Sequence, residues 1–575
     1  MSKPSSDNDW AVLHTFRFHL PRSKGGGEVV KVCFQNVITN ETKIEYIKNP
    51  KRSFWITKPE FRDKRSPRYF NYNKECEKLS NLDEYKCYNY ELKPTIRKVL
   101  GLPPVWNEWK SDLFKNPHVF GADIPIEVLI KKYYNEKCSG RISKIAFGSL
   151  DLETSVLPQT FEQIIIFSFV DHNKNLYISV YRPFIKDAMV DDEVTAHVNK
   201  LLDKLKTKEM NIKIFVSYFD TEAEVIKDGL KNLHESKVTI CGIWNIDFDI
   251  PRLFKRMGAL GLNPTDLFNS PDTPKEYRTW EYVGNGTKII MADDLSVNIR
   301  RDQTKKKKKG HIMDKWRLLL TGSRVAFIDS ALLYARVRKT SERKASYKLG
   351  YTTEQELDMS KLQFPQGLDH FEMQRDNFTD YIAYGGLDPV LVLLLELKNK
   401  DVLTLLGDIG NSRLRDYAYP TVTLRDDLHG YYLSNDLIGG CAGGDMSGKF
   451  DEHLHSRGGA VLPTDRFNGT GLCVLEEAPE VETLIRRAVG DLDVKAMYPT
   501  IADKFNISKG TKVSTCIGIE GCGKDIIVQE QTMEKCFGWM TSPKANAILF
   551  CNEFFNLPNT TEMHSVIDQH LNKIQ

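Results

Sequence analysis

The sequence predicts a multidomain protein of mixed class, α/β and α+β, and three observations lead there. The chain has 575 residues, enough for roughly three to four domains at about 150 residues each, and 41% of it is hydrophobic, which supplies sizeable cores. From residue 144 onward, short apolar strands alternate with amphipathic helical stretches, the pattern of a sheet with helices packed on it. Acidic residues recur where those strands end, the edge at which α/β sheets commonly carry their chemistry. A net charge of +3 creates no global basic field, so any nucleic-acid surface must be local. The eleven cysteines are scattered without a Cys-x-x-Cys pair, which argues for a reducing, cytoplasmic setting and against a disulfide framework. No apolar run is long enough to span a bilayer, and no signal peptide is expected at the polar N-terminus.

Residues 1–143 read as a small mixed, β-rich N-terminal domain. Val29–Phe34 is an expected strand, and Val105–Leu113 and Ile124–Tyr134 are helical or mixed. Asn49–Thr57 and Arg62–Tyr72 interleave Lys and Arg with Trp, Phe and Tyr. That mixture suits stacking on bases with phosphate neutralisation. It equally suits an aromatic core whose basic residues reach outward.

Lys144–Thr154 reads as a strand, followed by a hairpin of Ile164–Val170 and Leu176–Tyr181. Glu193–Lys206 and Glu222–His234 have helical spacing, and Ile212–Ser217 and Lys237–Ile243 are strands. Asp151 and Glu153 stand two apart on the first strand, so both carboxylates point the same way. Buried together they repel, a cost that a divalent cation removes; on a solvated strand they would do nothing. Asn245-Ile-Asp-Phe-Asp249 follows the Lys237–Ile243 strand, with Asp249 expected as a helix N-cap and Pro251 in the first turn. Strands at Lys288–Met291 and Arg324–Ile328 flank Lys305, Lys306, Lys307, Lys308 and Lys309, an exposed loop and a candidate DNA-backbone contact. Asn377–Leu397 is apolar at helical spacing, and Tyr384 and Asp388, four apart, share a face. Gly385, Gly386 and Pro389 are expected to weaken and kink that helix.

Together these stretches resemble the three exonuclease motifs of the 3′–5′ proofreading domain of family B DNA polymerases. Asp151-x-Glu153 matches the first, Asn245-Ile-Asp-Phe-Asp249 the second in its shorter form, and Tyr384-x-x-x-Asp388 the third. The segment from Asp329 through Ser346-Tyr-Lys-Leu-Gly to Asp388 is similar to that of T-even phage replicative polymerases. Arg457-Gly-Gly-Ala-Val461 resembles the segment leading into the palm. Asp491-Leu-Asp-Val-Lys-Ala-Met-Tyr-Pro-Thr500 resembles polymerase motif A, with Ala496 and Met497 in place of the usual Ser-Leu. Counting back from Tyr498-Pro499 makes Asp493 its metal-binding aspartate.

The resemblance implies a ribonuclease H-like exonuclease domain over residues 144–400. It also implies connecting helices with the first part of a polymerase palm over 401–575. Asp151, Glu153, Asp249 and Asp388 would hold two Mg²⁺ or Mn²⁺ ions, with Tyr384 orienting the attacking water. Asp493 would be one metal carboxylate of the synthetic site, and Val494 and Tyr498 would contact the incoming nucleotide. The implied partners are primer-template DNA, a single-stranded DNA 3′ end, deoxynucleoside triphosphates and, as a further candidate, a sliding clamp. Neither an Asp-Thr-Asp motif nor a fingers helix with Lys-x₃-Asn-Ser-x-Tyr-Gly occurs between 509 and 575. The expectation is therefore a split polymerase of phage type acting in the bacterial cytoplasm, with fingers, remaining palm and thumb on a second chain. Two alternatives stand beside it: a self-sufficient 3′–5′ exonuclease that keeps a palm remnant as scaffold, and a non-catalytic DNA-binding subunit.

Overall fold

The computed structural model describes residues 9–441 except 21–24, 62–76, 103–115, 117, 139–141, 143, 186–189, 204–210, 285–286, 292–296, 302–311, 313–314, 339–343, 363, 365–367, 409–410, 412 and 418–419, together with strands 514–519, 530–531 and 545–550. The chain forms two compact units. The first takes Met1–Arg52, Tyr88–Tyr90 and Ile124–Tyr431; the second takes Ser53–Cys87, Glu91–Asp123 and Tyr432–Gln575.

The first unit opens with an antiparallel meander of β1 (Trp10–His19), β2 (Glu28–Asn36) and β3 (Thr42–Lys48). Helix α1 (Ile126–Lys137) covers it, burying Ile126 and Ile130 against Val12, Val30, Val32 and Phe34. Lys31 is fully buried on β2, and its ammonium donates to the carbonyls of Thr321 (2.7 Å) and Ser323 (2.6 Å). Those bonds supply the partners that a buried cation needs.

Among the described residues the centre of this unit is a ten-stranded mixed sheet. Its strands are β4 (Phe147–Thr154), β5 (Ile164–Val170), β6 (Asn175–Tyr181), β7 (Lys213–Phe219), β8 (Ile240–Ile243), β9 (Trp280–Gly284), β10 (Thr287–Met291), β11 (Val297–Arg301), β12 (Leu318–Thr321) and β13 (Ala326–Asp329). They lie in the order β7-β6-β5-β4-β8-β13-β12-β9-β10-β11. β5 runs antiparallel to both β4 and β6, whereas β8 runs parallel to β4 and β13 parallel to β8. The C-terminal ends of β4, β8 and β13 therefore share one edge.

Helices cover both faces, which makes this an α/β unit. On one face lie α3 (Glu222–Glu235) and α4 (Ile246–Ala259), packed with Leu150, Leu152, Phe167 and Phe169. On the other lie α2 (Asp191–Asp203) and α8 (Phe378–Asn399), with Phe147, Ile166 and Ile178. Between β13 and α8 come α5 (Ser330–Val337), α6 (Leu349–Leu357) and α7 (His370–Asp376). Helix α8 is the one helix among the described residues long and apolar enough to cross a membrane, and 89% of its apolar window is buried inside the fold. It is a core helix.

The expected weak point of α8 is organised differently. The helix runs unbroken through Gly385, Gly386 and Pro389. Its glycines serve close approach: a Cβ on Gly385 would stand 2.9 Å from Glu153 Cγ, and one on Gly386 2.6 Å from Ile178 Cδ1. Helix α4 also starts earlier than expected. Asn245 is the N-cap, in the left-handed conformation (φ 69°, ψ 62°), so Asp249 lies inside the helix and not at its cap, and Pro251 sits deeper still.

In the second unit, strands Leu82–Tyr88, Lys51–Thr57 and Val119–Phe120 form one sheet, and helix Leu92–Leu100 buries Leu92 and Ile96 in its core. Phe54 and Ile56 are fully buried and Trp55 nearly so. In the described part of the basic–aromatic stretches the rings are thus core. Arg62–Tyr72, Val105–Leu113, the lysine run 305–309 and the motif-A residues Asp493, Val494 and Tyr498 lie outside the described residues.

A close helix–strand seam on the large sheet is α3 on β5. A Cβ on Gly229 would meet the ring of buried Phe167 at 2.2 Å. We expect Gly229→Ala to destabilise the protein by about 1–3 kcal/mol despite alanine's better helix propensity, because a ring locked in a packed core has nowhere to go. Denaturant unfolding tests this, and an unchanged midpoint would refute it.

Candidate active site

The site is built at the shared C-terminal edge of β4, β8 and β13. Beyond Ser149, β4 has run past its pairing with β8, and its last residues are paired only with β5. The strand's period of two puts Leu150 and Leu152 into the core under α3 and α4. Asp151 and Glu153 take the opposite face, the one on which α8 lies. Glycine at 385 brings that helix against Glu153. Tyr384 and Asp388 follow on the same helix, one turn apart.

Asp249 arrives from the other side. It is almost fully buried on the first turn of α4, and the Leu152 amide donates to it. Three separate chain segments thus converge on one pocket, and its electrostatics report their proximity. Burial first, then the charges of Asp388, Asp249 and Glu153, push the Asp151 carboxyl well above the usual carboxylate range. Burial and Glu153 push Asp249 up, and burial raises Asp388 despite a neighbouring ammonium. Glu153 is pushed up to about 7, chiefly by burial, with the Tyr381 hydroxyl opposing the shift.

Two neighbours manage this charge, and neither was singled out from the sequence. Lys361, on the segment between α6 and α7, forms an ion pair with Asp388 Oδ2. Burial opposes its charge, but Asp388, Tyr384 and Asp151 outweigh burial and hold its pKa above the ordinary lysine range. The ammonium also lies 5.5 Å from the centre of the Tyr384 ring. Tyr381 donates its hydroxyl to Glu153 Oε2 (2.6 Å) and accepts from Gln374 Nε2 (3.2 Å). Gln374 in turn donates to the Thr154 carbonyl (2.9 Å), closing the end of β4. Tyr381 precedes Tyr384 by three residues and shares its helix face, a spacing that signals it. Lys361 carries no such signal, because nothing in its local sequence ties it to Asp388.

Tyr384 stacks on Tyr381 (ring centres 5.5 Å apart) and packs against Phe364 (4.8 Å). Burial raises its phenol pKa, and the carboxylates of Asp388, Glu153 and Asp151 add to that against Lys361. It remains a neutral hydroxyl at physiological pH.

Among the described residues no three acidic, histidine or cysteine side chains already stand as a metal-ligating cluster. Two of the four carboxylates have an oxygen engaged by Lys361 and Tyr381 instead. The donor set still fits a hard dication. All its donors are oxygens, and Asp249 Oδ1 and Asp388 Oδ1 are buried without a hydrogen-bond partner.

The pocket has a stability signature. Glu153 holds its proton up to about 7 in the fold, against an ordinary value of 4.5. The folded state therefore binds more protons between those values, and stability falls as pH rises through that window. We expect the melting temperature of the metal-free protein to fall between about pH 5 and about pH 8, and Glu153→Gln to flatten the profile. A wild-type profile as flat as that of the variant would contradict the buried-charge account.

Neither a scan against protein-family models nor a search of curated proteins gives a match for this chain.

Proposed function

We propose that this chain carries a metal-dependent 3′–5′ exonuclease of the family B polymerase type, with the beginning of a polymerase palm after it. The observation that carries this reading is the convergence of Asp151, Glu153, Asp249 and Asp388, from three segments, on one pocket with Tyr384 at its wall. The strand order β6-β5-β4-β8-β13, with β5 antiparallel and β4, β8 and β13 parallel, supports a ribonuclease H-like core.

The four carboxylates would hold two Mg²⁺ or Mn²⁺ ions. When bound, such ions lower the pKa of a water and stabilise charge on the departing 3′ oxygen. The chain's own residues do the rest. Tyr384, kept protonated, hydrogen-bonds and orients the attacking water; as a neutral phenol it positions and does not serve as the base. Tyr381 fixes Glu153. Lys361 offsets the carboxylate charge.

The substrate surface favours a single strand. Phe248, 43% exposed beside Asp249, carries the Arg252 guanidinium 3.5 Å over its ring, and Lys255 follows on the same helix face. Phe161, 62% exposed, sits on the loop after β4, which an ion pair between Glu162 and Lys255 ties to α4. Exposed rings beside cations suit stacked bases and their phosphates. A frayed 3′ end reaches such a surface more cheaply than a paired one, which gives proofreading its bias.

The purified chain is expected to shorten single-stranded DNA from its 3′ end in Mg²⁺ or Mn²⁺ and not to extend a primer. Asp151→Ala should lower the rate by about a hundredfold or more, since it removes charge that stabilises the transition state. Nuclease activity that survives both chelator and Asp151→Ala would rule this reading out.

A further inference from the structure

We propose that Arg317 is a positioning residue for Asp249, clamping the turn that starts α4 onto the ends of two strands. The inference rests on the exonuclease reading above. The turn has little to hold it from within. Asn245 adopts the left-handed conformation and makes no side-chain cap bond to its own helix. A non-glycine residue held there needs support from its surroundings.

Arg317 provides that support from the start of β12. Its Nη1 donates to Asn245 Oδ1 (3.0 Å) and lies 3.5 Å from Asp329 Oδ2. Its Nε lies 2.8 Å from Asp247 Oδ2. Each of those three groups has a second anchor. The Asp247 carboxylate also accepts from the Tyr282 hydroxyl of β9. Asp329, wholly buried at the end of β13, accepts from the Leu332 amide (3.0 Å) and caps α5. The Asn245 amide bonds to that same carboxylate.

One planar cation thus ties α4's first turn to β13, α5 and β9. The guanidinium hydrogen-bonds to Asn245 and stands within ion-pair range of Asp247 and Asp329, a spread that a compact ammonium on a flexible stem reproduces less well. With only 12% of its side chain exposed, Arg317 is turned mostly into the protein, toward the turn. Asp249 lies on that same first turn, two residues after Asp247, so its carboxylate is aimed by whatever fixes Asn245 and Asp247.

The test uses the full chain with Arg317→Lys, Arg317→Met and Asp151→Ala. It measures kcat and KM on single-stranded DNA, Mn²⁺ binding by electron paramagnetic resonance without DNA, and melting temperature. For Arg317→Met we expect kcat to fall about 10–100-fold with KM within about twofold, and Mn²⁺ binding to weaken. Arg317→Lys should fall between that variant and wild type. Wild-type kcat and Mn²⁺ affinity with only a lower melting temperature would overturn the clamp, as would a raised KM with unchanged kcat. If Arg317→Met does not fold, Arg317→Lys decides by the same criteria. A wild type without metal-dependent nuclease activity, whose Mn²⁺ binding still depends on Arg317, would sink the exonuclease reading and leave the clamp. An active, Asp151-dependent wild type with unaffected Arg317 variants would sink the clamp alone.

Discussion

Like charges held close together out of water are the constraint to which this structure answers. Burial raises the pKa values of Asp151, Glu153, Asp249 and Asp388, the charges of the other three raise Asp151 further, and a fold tolerates such a group only where its surroundings are rigid enough to forbid escape. The surroundings here are a strand paired into a large sheet, a helix docked through two glycines and a turn locked by a guanidinium. Lys361 supplies the one ammonium in ion-pair contact with the four carboxylates among the described residues. It neutralises part of the group without filling it, and two buried carboxylate oxygens are left unpartnered. A pocket of this kind is unfavourable for stability and useful for catalysis, the exchange expected where function works against folding.

Much of the framework was legible in the sequence because it follows from short-range periodicities. Alternation with period two gave β4 its two faces, so Asp151 and Glu153 could be assigned to one side from the sequence alone. Spacing of four placed Tyr384 and Asp388 on one helix face. The hairpin of β5 and β6, helix α3 and strand β8 follow from runs of apolar residues interrupted by turn formers.

What the sequence left out depends on contacts between distant segments. Asp249 read as a helix cap, since Asp before Pro is the usual cap pattern. The left-handed Asn245 moved the helix start; asparagine tolerates that conformation better than most residues, but its local sequence does not require it. Gly385 and Gly386 read as helix breakers, because the strand against which they pack is more than 200 residues away and their small size has no local explanation. Lys361 and Arg317 act through Asp388 and Asp329, partners that only the folded chain supplies. The basic–aromatic segment around Phe54 admitted two readings, and burial decided for core where the residues are described.

Helix α8 carries Tyr381, Tyr384 and Asp388 and is also the central apolar helix of the first unit's core. A site wall built into so buried a helix cannot swing aside without opening that core. On the exonuclease reading, discrimination between paired and mispaired ends then cannot come from this wall closing around the right substrate. It must be read from the DNA, through the energy needed to peel its last nucleotides away from the template. On that reading the protein is a fixed gauge, and the DNA does the bending.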